Sequence, residues 1–345
     1  MKRSCKQLIA ILSVLAVLST MTMLITIASE VDDDLIPEEA TELIDDNFIT
    51  SNAAIVIEYD TGLVIHEFNA DELRVPASMT KMAAVYVVFD AISEGIVSLD
   101  TVIQISESAS AFSYVRAYSN VPMPENSSYT VSQLLDVVIV RSASSSTIAL
   151  GEGVFGSEAA MVAKMNEKAK QLGIIASFYD SWGGSPSNRI SARGMAEMTR
   201  ALINDYPEVL DFTSQGSVMF DDISYSSTNL LIGVYEGIDG FKTGFTNPAG
   251  WCFTGTAIQG GRRIITVTMG SVQGYRFTDS VVLLDYGFAN YGHIIANHFR
   301  SALHPFETDN FADTTLVPIM MYDIDMAQNL HLRDIAIILN ESKPD

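Results

Sequence analysis

Apolar positions along this chain change their spacing from strand-like to helical and back, behind an uncharged leader. Residues 7–29 carry no charge and are largely apolar, with Lys2, Arg3 and Lys6 before them. Residues 53–59 (AAIVIEY) and 63–68 (LVIHEF) are β-type runs on either side of Asp60-Thr61-Gly62, and they predict a hairpin. The polar residues 69–76 lead into a sharp helix entry at Pro76-Ala77-Ser78, followed by the apolar run 82–89. From 91 to 205 the spacing is mainly helical. Thr130 is a candidate N-cap for the apolar run 131–140, the helical pattern of 158–172 stops at Gly173, and Ser191 opens a helix to about Asn204. Beyond Ser217 strands return. Residues 238–245, 250–259 and 263–270 read as a meander with turns at Asn247-Pro248 and Gly260-Gly261, and 277–291 closes as a helix. This order predicts an α+β fold in which the early hairpin and late meander share one antiparallel sheet flanked by helices.

Composition narrows the class. The 345 residues are 48% hydrophobic and 18% charged, enough apolar material for a large core. The formal net charge of −22 argues against nucleic acid as a partner, because phosphate binding needs basic patches. The two cysteines, Cys5 and Cys252, imply no disulfide framework. The leader is an export signal in composition. It is also about long enough to span a bilayer, so residues 1–29 are either a cleaved signal or an N-terminal membrane anchor, with the rest of the chain outside. Residues 30–49, rich in acidic side chains, read as a spacer.

The candidate chemistry starts at Ser78 and Lys81. Residues three apart share a helix face, so this hydroxyl and amine can meet without help from the rest of the fold. A serine needs a base to become a nucleophile, and a lysine amine serves when neutral. An apolar wall and the helix N-terminus both disfavour the ammonium form. The competing reading is a capping serine beside a solvated lysine. Two other stretches bear on this choice. Arg141-Ser142-Ala143-Ser144 lies between two helical runs, where a loop serine can relay a proton or simply cap a helix. Lys242-Thr243-Gly244 lies on an apolar strand: lysine and threonine can hold an anionic substrate end, and the glycine lets a substrate backbone approach. An edge lysine that guards against aggregation is the plainer reading.

Taken together, S-x-x-K, a serine loop and K-T-G in this order resemble the signature of the penicillin-recognising serine enzymes. The chain is similar to the D-alanyl-D-alanine carboxypeptidases, the low-molecular-mass penicillin-binding proteins. Further similar passages are Asn69-Ala70-Asp71-Glu72, Ser191-Ala192-Arg193-Gly194-Met195, Ser227-Thr228-Asn229 and Gly237 through Thr246. Asp285-Tyr286-Gly287-Phe288 completes the set. The resemblance implies a β-lactamase/transpeptidase-like fold with a helical subdomain over residues 50–292. Residues 293–345 would be a short C-terminal extension, a vestigial β-domain at most. It implies that Ser78 attacks the penultimate D-alanine carbonyl, that Lys81 takes its proton, and that Ser142 passes a proton to the departing D-alanine. Lys242 would keep the site electropositive, Thr243 and Arg276 would bind the terminal carboxylate, and the N–H groups of Ser78 and Phe245 would form the oxyanion hole. Ser144 stands where the family usually has asparagine, which puts substrate orientation in question. The implied partners are peptidoglycan stem peptides ending in D-Ala-D-Ala and β-lactams as covalent inhibitors. No cofactor is implied, and the implied location is the outer face of the cytoplasmic membrane, the cell wall or the medium.

Three other readings compete with this one. A class A β-lactamase needs a glutamate-bearing E-x-x-x-N loop, and none occurs between Ser157 and Ser191. A zinc carboxypeptidase needs clustered ligands, which His66, His293, His298, His304 and His331 do not provide by their spacing. The third is a catalytically impaired, penicillin-binding-protein-like module that binds wall without turning it over.

Overall fold

The structure is a computed structural model that describes residues 49–303, with side chains through 292. The expected export segment, nearly all of the acidic spacer and most of the expected C-terminal extension lie outside the described residues. Of these, residues 49–289 belong to one compact unit, and residues 290–303, which are helical, fall outside it.

The chain opens with β1 (Ala53–Glu58) and β2 (Val64–Phe68), joined by the expected turn. Glu58 holds that turn by accepting the N–H and hydroxyl of Thr61 at 2.7 and 2.6 Å. A 3-10 turn, Ala77–Thr80, leads into α1 (Lys81–Ser93), which is buried on every side from Lys81 through Phe89. A helix apolar all round belongs at the centre of a domain. Next come β3 (Val102–Gln104), α2 (Glu107–Ser113), β4 (Ser128–Thr130), α3 (Val131–Val140), α4 (Ser144–Phe155) and α5 (Glu158–Gln171). They are followed by β5 (Ala176–Ser177), β6 (Arg189–Ile190), α6 (Ala192–Asp205), α7 (Val209–Thr213), β7 (Ser217–Phe220) and β8 (Ile223–Ser226). The meander β9 (Ile238–Thr246), β10 (Gly250–Gln259) and β11 (Arg262–Ser271) precedes the long helix α8 (Arg276–Leu303).

The meander and the first hairpin form one antiparallel sheet of order β2-β1-β11-β10-β9, as the pattern predicts. Every residue of β1 is buried because the sheet is covered on both faces. Ile55 and Ile57, paired with Val267 and Ile265, join the main core under the helices. Val56 looks the other way, onto α8, where a Cβ on Gly287 would lie 3.0 Å from its Cγ1. Capping does what the sequence suggests. Thr130 and Gln133 form a reciprocal capping box on α3, and Ser191 accepts the Gly194 N–H at the start of α6. Gly173, at φ +72°, ends α5.

Some features depart from expectation. The 91–205 block also contains the small ribbons β3–β4 and β5–β6, whose strands are two or three residues long and too short to show a period. The last helix does not stop near Tyr291. It passes through Gly292 and runs to Leu303, two residues before Pro305, so a single glycine was insufficient to end it.

Candidate active site

The turn that carries Ser78 is wedged from two sides. Ala77 has φ +50°, a left-handed conformation that strains a residue with a Cβ, and it is fully buried. A Cβ on Gly183 would lie 1.9 Å from the Ala77 carbonyl oxygen, and one on Gly244 would lie 2.7 Å from that of Pro76. Both glycines are therefore needed for backbone to approach backbone here. Between them Ser78 remains partly exposed.

Lys81 is fully buried, with its Nζ among three oxygens: Ser78 Oγ at 3.1 Å, Ser144 Oγ at 3.2 Å and the Trp182 carbonyl at 2.7 Å. No carboxylate is among them. Lys81 and Lys242 line a small pocket together with Met82, Val85, Val138 and Phe241, an apolar wall. Burial lowers the pKa of Lys81 to about 7, against the opposing charge of Asp180. A neutral amine in this position can accept the Ser78 proton.

The two loop serines differ. Ser144 is the first residue of α4, and its N–H is held by the Ser119 carbonyl at 2.9 Å. Its side chain is the one that touches Lys81. Ser142 has φ +64°, is buried, and its hydroxyl has no hydrogen-bond partner among the described residues. Strain in a non-glycine residue commonly marks a working position.

The β9 strand supplies the opposite wall. Lys242 is buried, and its Nζ donates to the Thr243 carbonyl at 3.1 Å. Burial, then Lys81 and Arg276, push its pKa well below the ordinary lysine value. Thr243 and Thr228 share a hydroxyl contact of 2.8 Å, and the Thr228 N–H donates to the Val140 carbonyl, so the Ser227-Thr228-Asn229 passage ties β9 to α3. Phe245 is exposed and packs on Trp251 with ring centroids 4.5 Å apart. Arg276, at the start of α8, lies 4.8 Å over the Trp251 ring, and its guanidinium reaches the Gly244 carbonyl at 3.4 Å. Burial lowers its pKa to about 10.

Sequence reasoning missed the loop between β5 and β6, which supplies Asp180, Trp182 and Gly183. Its available signal was the Gly183-Gly184 pair in a polar stretch between two helical patterns.

A serine and a buried lysine one turn apart, walled by a K-T-G edge strand of a five-stranded antiparallel sheet, define the class: the penicillin-binding-protein and transpeptidase fold. A family model described as D-alanyl-D-alanine carboxypeptidase, peptidase S11, matches residues 40–273. The chain belongs to this family. It is 31% identical over 249 residues to the D-alanyl-D-alanine carboxypeptidase DacF of Bacillus subtilis, covering 70% of this chain and 63% of the relative. To DacC of Escherichia coli it is 32% identical over 246 residues, covering 70% and 62%. The chain thus spans a little under two thirds of the length of these curated relatives. Among solved structures, penicillin-binding protein 5 from Haemophilus influenzae superposes with a TM-score of 0.68 at 31% identity, covering 70% of this chain and 71% of that one. Penicillin-binding protein D2 from Listeria monocytogenes in its ampicillin-bound form gives 0.62 at 30% identity, covering 70% and 98%.

Proposed function

We propose that this chain is an exported serine D-alanyl-D-alanine carboxypeptidase that removes the terminal D-alanine of peptidoglycan stem peptides through an acyl-enzyme on Ser78, and that β-lactams acylate the same residue. The observation that carries the reading is the fully buried Lys81 amine, 3.1 Å from a partly exposed serine hydroxyl.

The Trp182 carbonyl can only accept, so it takes one N–H of the neutral amine. With Ser144 Oγ taking the second, the lone pair is left for Ser78. Ser78 Oγ–H then gives its proton to Lys81 as Oγ bonds to the carbonyl carbon of the penultimate D-alanine. The developing oxyanion meets the N–H groups of Ser78 and Phe245. The C–N bond breaks, and the departing D-alanine amine takes a proton delivered through Ser142, the hydroxyl left without a partner. Water then cleaves the ester and restores Ser78. Lys242, Thr243 and Arg276 hold the substrate's terminal carboxylate, with Lys242 also opposing protonation of Lys81.

The test is labelling with a fluorescent penicillin. Mass spectrometry should place the adduct on the peptide containing Ser78, and Ser78→Ala should abolish both labelling and D-alanine release. An adduct on another serine ends this reading. Labelling of Ser78 without any D-alanine release would favour the impaired wall-binding module instead.

A further inference from the structure

The loop between β5 and β6 carries a carboxylate, Asp180, for which the reaction above has no use. Its Oδ1 accepts the Gly183 N–H at 2.6 Å and an Asn188 side-chain N–H at 3.0 Å, and its Oδ2 accepts the Ser185 N–H. Asn188 is fully buried. It accepts the Tyr179 N–H at 2.8 Å and reaches Thr80 Oγ1, one residue before Lys81, at 3.3 Å. The loop is thus folded around one side chain. The turn so made brings the Trp182 carbonyl to Lys81 and seats Gly183 on the Ala77 carbonyl.

The charges around Lys81 give Asp180 a second role. From β9 the amine faces Lys242, whose own pKa is pushed well below the ordinary lysine value by burial and then by Lys81 and by Arg276 of α8. Val138 and Ile139 of α3 and Val209 of α7 line the same pocket as Lys81, and from α4 the amine meets Ser144, all uncharged. Among the described residues, Asp180 is the negative charge that acts on this amine, and it opposes the effect of burial.

We propose that Asp180 is a positioning residue: its carboxylate folds the loop that sets the Trp182 carbonyl on Lys81, and its charge is the counterweight to the burial of that amine. The proposal rests on the reading of Lys81 as base. Without the charge Lys81 would shed its proton at lower pH and would be a weaker base for Ser78.

The experiment uses two neutral variants, Asp180→Asn and Asp180→Ser, each of which keeps an acceptor for the Gly183 N–H, so that either one that folds decides the matter. Asn188→Ala, which loosens the same loop and keeps the charge, is the control. Two readouts are taken against pH: the second-order rate of Ser78 acylation by penicillin, and the titration of Lys81 followed by isotope-labelled lysine NMR. In the neutral variants both midpoints should move to lower pH by about half a unit or more, with a lower acylation plateau. In Asn188→Ala the plateau should fall and the midpoint should hold. A uniform loss of rate with unmoved midpoints in the Asp180 variants overturns the proposal, as does an equal shift in Asn188→Ala. If wild-type Ser78 is not acylated at all, the proposed function fails, and the NMR midpoints still decide on Asp180.

Discussion

Gly183→Ala adds one methyl group at the tightest backbone contact of the site. The new Cβ would lie 1.9 Å from the Ala77 carbonyl oxygen, whereas real Cβ contacts essentially never fall below 3.0 Å, so one backbone must retreat by about 1.1 Å. Neither side yields easily. Ala77 is fully buried and already at φ +50°, and the glycine's own N–H is pinned to Asp180. Gly183 also has φ +91°, where an L-residue costs about 1–2 kcal/mol by itself. Gly173→Ala isolates that second effect: its φ is +72° and nothing lies within 4 Å of the added Cβ. The Gly173 variant should therefore lose about 1–2 kcal/mol of stability and keep its acylation rate. The Gly183 variant should lose more stability. Its acylation should also fall by about 100-fold, the consequence of moving a nucleophile by about 1 Å. The assays are denaturant unfolding and the second-order acylation rate by a penicillin. Equal acylation rates in the two variants would show that the wedge does not position Ser78.

Acylation should rise with pH through about 7 as Lys81 becomes neutral, and a flat profile with chemistry rate-limiting would count against the lysine. The same group affects stability: an unfolded lysine keeps its proton to about 10.5 while the folded one releases it near 7, so its contribution should rise with pH across that window in urea titrations. Ser142→Ala should cost on the order of 10²–10⁴ in acylation rate if it carries the proton. Ser144→Ala removes one of three contacts of the Lys81 amine and should cost about 0.5–1.5 kcal/mol, which is roughly tenfold at the upper end. Equal losses in the two would mean that their roles are wrongly divided. Thr130→Ala breaks the α3 capping box and should cost about 1 kcal/mol of stability with unchanged acylation, read from the urea midpoint.

The elements that local chemistry dictates were legible in the chain itself. Alternation around Asp60-Thr61-Gly62 marked the first hairpin, Thr130 and Ser191 marked helix starts, and the spacing of Ser78 and Lys81 placed hydroxyl and amine together, because turns, caps and i,i+3 neighbours depend only on nearby residues. The meander was legible for the same reason. What the tertiary structure decided were encounters between distant segments. The low pKa of Lys81 comes from its burial, and burial is a property of the packed interior formed by α1, α3, α7 and β9 rather than of any short stretch. Which serine touches the amine was equally out of reach: Ser142 and Ser144 are two residues apart in similar surroundings, and the start of α4 separates them in space. The loop around Asp180 had no periodicity to read, and its meaning comes from Gly183 meeting Ala77, more than a hundred residues earlier. Side-chain periodicity reports which face of an element is apolar; it does not report which other element that face will meet.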